Sequence, residues 1–152
     1  LAAVTDRTKA VFLCNPNNPT GTVIDSDELH AFQRRLSGHV LLVVDEAYID
    51  FVDIDPYTSM VDAIADGINL IVVRTFSKLY GMAGARVGYL MSNDEIINYL
   101  VRDTPGYCCN RMGLFGAQAA LDDIEFQNLT IKGNKEARRI LVDTMEDLGF
   151  KV

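Results

Sequence analysis

The chain has 152 residues, 49% of them apolar, which is enough for one domain with a sizeable core and is the composition of a globular protein, not of a disordered tail. Its formal charge of -7 argues against nucleic acid or anionic membrane as the main partner, because such a surface repels both. No apolar run reaches the length of a membrane span and no charged-then-apolar leader opens the chain, so a cytoplasmic setting is expected.

Along the chain, apolar β-rich runs alternate with helical patterns, the mark of an α/β protein with a mostly parallel sheet between helices. The first strand is predicted over Ala10 to Cys14. A helix follows from Asp25, whose carboxylate can cap the free amides while Glu28 closes a capping box, and it ends near Gly38. The second strand spans Val40 to Asp45, and its unbroken Leu41-Leu42-Val43-Val44 suits burial on both faces. A short helix fits Ser59 to Ala65, stopped by Gly67, before a third strand at Leu70 to Arg74 and a fourth at Val87 to Met91. Ser92 and Glu95 repeat the capping signature for a helix to about Arg102, and another fits Met112 to Leu121. From Ile124 to Leu148 apolar residues keep helical spacing over an unusual length, which predicts a long connecting helix. No repeat or linker divides the chain. It lacks an initiating Met and stops at Gly149-Phe150-Lys151-Val152, which reads as the start of another strand, so a fragment is expected.

Cys14, Cys108 and Cys109 are an odd count without signs of secretion, and adjacent cysteines rarely bridge each other; reduced thiols are expected. His30 and His39 have no Cys, Glu or His at ligand spacing, so no metal site is expected. Arg34-Arg35 and Arg138-Arg139 read as solvated helix faces.

Three motifs fall where a strand gives way to a loop. In open α/β sheets the ligand crevice lies outside the carboxyl ends of the strands, so these loops can meet in space. The first is Asn15-Pro16-Asn17-Asn18-Pro19-Thr20-Gly21, a tight loop that presents an amide at a fixed place; taken alone it is as readily a plain turn. The second is Val43-Val44-Asp45-Glu46-Ala47-Tyr48, in which a carboxylate ends a buried strand and a phenol follows three residues later. Walker-type ATPases also place an Asp-Glu pair there, but the Gly-rich loop ending in Gly-Lys-Ser or Gly-Lys-Thr is absent. The third runs from Arg74-Thr75-Phe76-Ser77-Lys78 through Gly81, Gly84 and Arg86 to Gly88, and puts a lysine between hydroxyl residues and an arginine. It reads as an imine-forming lysine beside a phosphate cradle, with burial at the sheet end freeing the amine of its proton.

Together these residues resemble the fold-type I aminotransferases that use pyridoxal 5'-phosphate. Phe12 through Thr22, Asp45-Glu46-Ala47-Tyr48-Ile49-Asp50-Phe51 and Arg74-Thr75-Phe76-Ser77-Lys78 look most like the histidinol-phosphate branch. The resemblance implies that Lys78 holds the cofactor aldehyde and moves the proton during turnover. Asp45 would keep the pyridine nitrogen protonated; at an effective dielectric near 20, a pair ~4 Å apart gains about 4 kcal/mol, roughly three pKa units. Tyr48 and Asn18 would hydrogen-bond the ring's phenolic oxygen, and Thr75, Ser77 and Arg86 would hold the phosphate. Gly81, Gly84 and Gly88 would mark turns or tight packing, and a cis bond is expected before Pro19.

By the same resemblance, residues 1–152 are part of a large cofactor-binding domain, with 124–148 leading to a small domain not contained in the chain. The Gly-rich phosphate loop, the ring-stacking aromatic and the substrate-binding arginine of the family are also not contained, so the chain alone is expected to bind cofactor weakly and not turn over. Gly106-Tyr107-Cys108-Cys109-Asn110-Arg111 departs from the branch's Asn-rich segment. The implied partners are a small-molecule amino donor and a 2-oxo acid, and the intact protein is expected to be a homodimer. Two alternatives use the same motifs: a decarboxylase or lyase like the threonine-phosphate decarboxylases, and a non-catalytic aminotransferase-like regulatory domain.

Overall fold

Leu41-Leu42-Val43-Val44 has no polar face and is stable as a strand only where both sides are covered. It lies inside a four-stranded sheet in the computed structural model, which describes residues 1–54 and 57–152. The strands are β1 (Ala10–Cys14), β2 (Leu41–Asp45), β3 (Leu70–Thr75) and β4 (Gly88–Ser92), and their spatial order is the chain order. β1, β2 and β3 run parallel, with Cys14 opposite Asp45 and Asp45 opposite Val73. The carboxyl ends of all three therefore open on one edge.

β4 runs antiparallel to β3, Thr75 lying opposite Gly88. A parallel return needs a crossover long enough to carry the chain back, usually a helix. The segment between β3 and β4 instead folds on itself: Phe76 N donates to Val87 O, and Met82 N to Phe76 O. The lysine motif is thus a loop that reverses the chain. Gly88 is needed there, because a Cβ would come within 3.0 Å of the Arg74 carbonyl oxygen. Gly81 turns the loop at φ +65, a left-handed conformation that glycine adopts without steric cost. Gly84 has nothing near its missing Cβ and lies in the 3-10 turn Ala83–Ala85, so of the two expected uses it serves a turn.

One core cluster lies on a face of the sheet, where Leu42, Val44, Leu70 and Val72 pack with Leu29, Met60 and Ala63. Leu29 comes from helix α1 (Ser26–Arg34), which Asp25 caps by accepting from Asp27 N and Glu28 N. The helix ends before Gly38 because Arg35, its C-cap, already lies outside the helix. Met60 and Ala63 belong to a short 3-10 helix, Met60–Asp66, that Ser59 caps and left-handed Gly67 ends. A smaller cluster joins Phe76 and Val87 to Ala117 of α3 (Arg111–Asp122).

Helix α2 (Asp94–Asp103) is capped by Asn93, not by Ser92 as the spacing predicted. Ser92 ends β4, and its hydroxyl donates across the sheet to Leu70 O. The chain finishes in α4 (Ile124–Asp147), one continuous helix of 24 residues. Arg138 on α4 reaches back to Asp53 at 2.7 Å, while Arg139 pairs with Glu136 and Asp143 on its own helix. None of the described helices is long and apolar enough to cross a membrane.

Candidate functional site

The loop after β1 is built around Asn15, whose side chain is fully buried. Its Oδ1 accepts from Ile24 N, and its Nδ2 donates to Ile24 O at 3.1 Å and to the Tyr57 hydroxyl at 2.7 Å. Those bonds close the loop over nine residues and anchor its far end. The loop between them holds cis bonds before Pro16 and Pro19. It presents Asn18 outward, and Asn18 Nδ2 donates to the Tyr48 hydroxyl at 2.8 Å. The first and second motifs therefore meet.

Burial and the Glu46 charge push the Tyr57 phenol up to about 12 from its ordinary 10.0, with burial the larger cause. The folded state holds this proton where the unfolded chain has lost it, so its contribution is complete below pH 10 and declines as pH rises from 10.0 to about 12. Tyr57→Phe should flatten that alkaline decline and lose about 1 kcal/mol at neutral pH with the Asn15 hydrogen bond. Urea midpoints of the full-length protein between neutral and strongly alkaline pH would show both effects.

Asp45 ends β2 with its side chain exposed, its Oδ1 accepting from Ala47 N at 2.9 Å. That bond turns the chain so that Tyr48 faces the loop after β3. In that loop Thr75 Oγ1 accepts from Ser77 N at 3.0 Å, and Lys78 Nζ stands 4.9 Å from the Tyr48 ring centroid. The third motif thus reaches the other two. Lys78 itself is exposed, which corrects the expectation of burial. β3 ends at Thr75, so the loop carries Lys78 beyond the sheet, with its amine over the Tyr48 ring.

Asn18, Tyr48, Ser77 and Lys78 line one cleft of about 600 Å³, with Pro16 to Pro19 on one side and Asn134 and Arg138 of α4 on another. Asp45, Thr75 and Arg86 are not among its lining residues. Arg86 is exposed, takes a left-handed backbone at φ 55, and donates from Nη1 to Ala83 O at 2.9 Å. Four of the seven sequence-derived site residues share the cleft; Asp45 and Thr75 end the adjoining strands β2 and β3, and Arg86, on the loop before β4, is not brought to it.

Below the cleft lies a buried charge cluster that the sequence motifs did not reveal. Glu46, 2% exposed, accepts at Oε2 from Arg74 Nε at 3.1 Å and Nη2 at 2.9 Å, at Oε1 from Met60 N, and at both oxygens from the Ser59 hydroxyl. Arg74 Nη2 also donates to Ser59 Oγ. Burial disfavours the Arg74 charge, but the Glu46 hydrogen bonds and charge outweigh it and raise its pKa above the ordinary value. Burial also raises the pKa of nearby Asp50, although the Arg74 charge opposes it. The readable signal was a charged residue at each of two adjacent strand ends in otherwise apolar surroundings. Asn134 and Arg138 left no signal, since only the folding-back of α4 brings them to the cleft.

A lysine, an Asn-Tyr pair and a serine share one cleft at the carboxyl ends of a mostly parallel α/β sheet, the place where such sheets bind ligands. The model of the aminotransferase class I and II family matches residues 1–152, and the chain belongs to that family. It is 40% identical over 150 residues to a histidinol-phosphate aminotransferase of Brevibacillus brevis, covering 98% of this chain and 41% of that protein. The corresponding enzyme of Moorella thermoacetica is 41% identical over 151 residues, with 99% of this chain and 39% of that protein covered. Among solved structures, histidinol-phosphate aminotransferase from Sinorhizobium meliloti in complex with pyridoxal 5'-phosphate superimposes with a TM-score of 0.86 at 31% identity, covering 93% of this chain and 38% of that one. The chain thus spans about two fifths of the length of the relatives it matches.

Proposed function

We propose that this chain is the cofactor-binding portion of a pyridoxal-phosphate-dependent transaminase that moves an amino group between histidinol phosphate and a 2-oxo acid. The observation that carries the reading is the meeting of Asn18, Tyr48, Ser77 and Lys78 in one cleft. The donor set suits the cofactor: an amine for its aldehyde, a carboxylate for its ring nitrogen, an amide-phenol pair for its phenolic oxygen, and hydroxyls with an arginine for its phosphate. When bound, the cofactor supplies an electron sink for the bond broken at the substrate's Cα.

The chain's own residues then have separate tasks. Lys78 Nζ would hold the aldehyde and, when free, would move the proton at the substrate's Cα as base and then acid. Asp45 would hold a proton on the ring nitrogen. Asn18 and Tyr48, already joined at 2.8 Å, donate to the phenolic oxygen. Ser77, Thr75 and Arg86 would anchor the phosphate, Thr75 also shaping the turn through its bond from Ser77 N. In this reading α4 leads on to a small domain, and the full-length protein works as a cytoplasmic homodimer.

The test is to incubate the full-length protein with cofactor, histidinol phosphate and 2-oxoglutarate and to follow glutamate. Glutamate formation that requires the oxo acid supports the reading. Carbon dioxide release from threonine phosphate without amino transfer would overturn it in favour of a decarboxylase, and cofactor binding with no turnover would favour a regulatory domain.

A further inference from the structure

Neighbouring residues at a strand end point to opposite sides of the sheet. At β2 this puts Asp45 on the exposed side and Glu46 on the buried side. At β3 it puts Arg74 against Glu46, while Thr75 beside it forms the turn that leads to Ser77 and Lys78. We infer that Glu46, Arg74 and Ser59 are positioning residues that fix the spacing between the carboxylate at one end of the cofactor and the phosphate anchors at the other. This inference rests on the proposed cofactor site.

The backbone alone joins the two strand ends by one bond at this level, Glu46 N to Val73 O. The side chains add a cross-brace: the guanidinium fork grips the Glu46 carboxylate from Nε and Nη2, and the Ser59 hydroxyl contacts both charges. Met60 N donates to Glu46 Oε1, tying the brace to the 3-10 helix. With Glu46 buried and the Arg74 side chain 26% exposed, the ion pair is weak evidence for net stability, since apolar replacements often match such pairs. Its fork geometry does limit sliding of β2 against β3. Two anchor groups held at a set spacing bind the two ends of one ligand far better than they bind its pieces, because the second contact is then intramolecular.

Arg74→Lys keeps the charge and loses the fork. In the full-length protein it should weaken pyridoxal 5'-phosphate binding by about tenfold or more, while affinities for pyridoxal and for inorganic phosphate each stay within about twofold. Binding would be followed by cofactor absorbance, with phosphate measured by competition, and thermal unfolding of the cofactor-free protein recorded alongside. Ser59→Ala, which removes only the hydroxyl, should show the same pattern at about threefold and keeps the test open if Arg74→Lys does not fold. Whole ligand and pieces weakening in parallel, or no change in any, would overturn the inference and leave a purely structural ion pair. Absence of cofactor binding in the unmutated protein would instead overturn the proposed site, and with it this role.

Discussion

Replacing Lys78 with alanine in the full-length protein is expected to lower kcat by roughly a hundred- to ten-thousand-fold from lost proton transfer alone. It should also abolish the borohydride-fixed cofactor label on the peptide that contains residue 78. Lys78 stands at the cleft beside Tyr48 and Ser77 and makes no ion pair among the described residues, so its loss removes only the exposed contact of its amine with the Tyr48 ring. The unfolding temperature of the cofactor-free protein should therefore change little. Peptide mapping by mass spectrometry checks the label, and a label that persists in Lys78→Ala would sink the assignment.

Asp45→Asn is expected to lower kcat by as much as about a thousandfold while changing cofactor affinity by less than about tenfold. The amide is nearly isosteric with the carboxylate and can still accept from Ala47 N, so the turn toward Tyr48 survives. What disappears is the negative charge. At a separation of ~4 Å and an effective dielectric near 20 that charge contributes about 4 kcal/mol, or three pKa units, toward the protonated ring nitrogen. The charge matters most where electron density moves into the ring, so the loss should fall on turnover. Steady-state kinetics paired with cofactor titration separates the two; equal losses in kcat and affinity would contradict the role.

The strands were legible because their apolar runs are bounded by polar or glycine residues at each end. The observed boundaries of β1 match the prediction at both ends, and those of β2, β3 and β4 shift by one residue. Long α4 was equally legible, since apolar residues hold helical spacing from Ile124 onward. The cap of α2 was misread because Ser92 and Asn93 are both competent caps. The choice between them depended on whether Ser92 was already engaged across the sheet with Leu70.

The amino-acid sequence by itself determined the alternation of strands and helices, the three strand-end motifs, and the chemistry they suit, because residue type and spacing carry that information locally. It also carried the relationship to the class I and II aminotransferases. Only the tertiary structure decided that β4 returns antiparallel, that Lys78 lies exposed, and that Asn15 is the buried anchor of the loop presenting Asn18. It alone joined Glu46 to Arg74 across 28 residues of sequence and brought Arg138 of α4 against Asp53 across 85. Such pairings depend on how far apart folding leaves two segments, and a charge or an amide in the sequence does not reveal its partner until the sheet register and helix packing have set those distances.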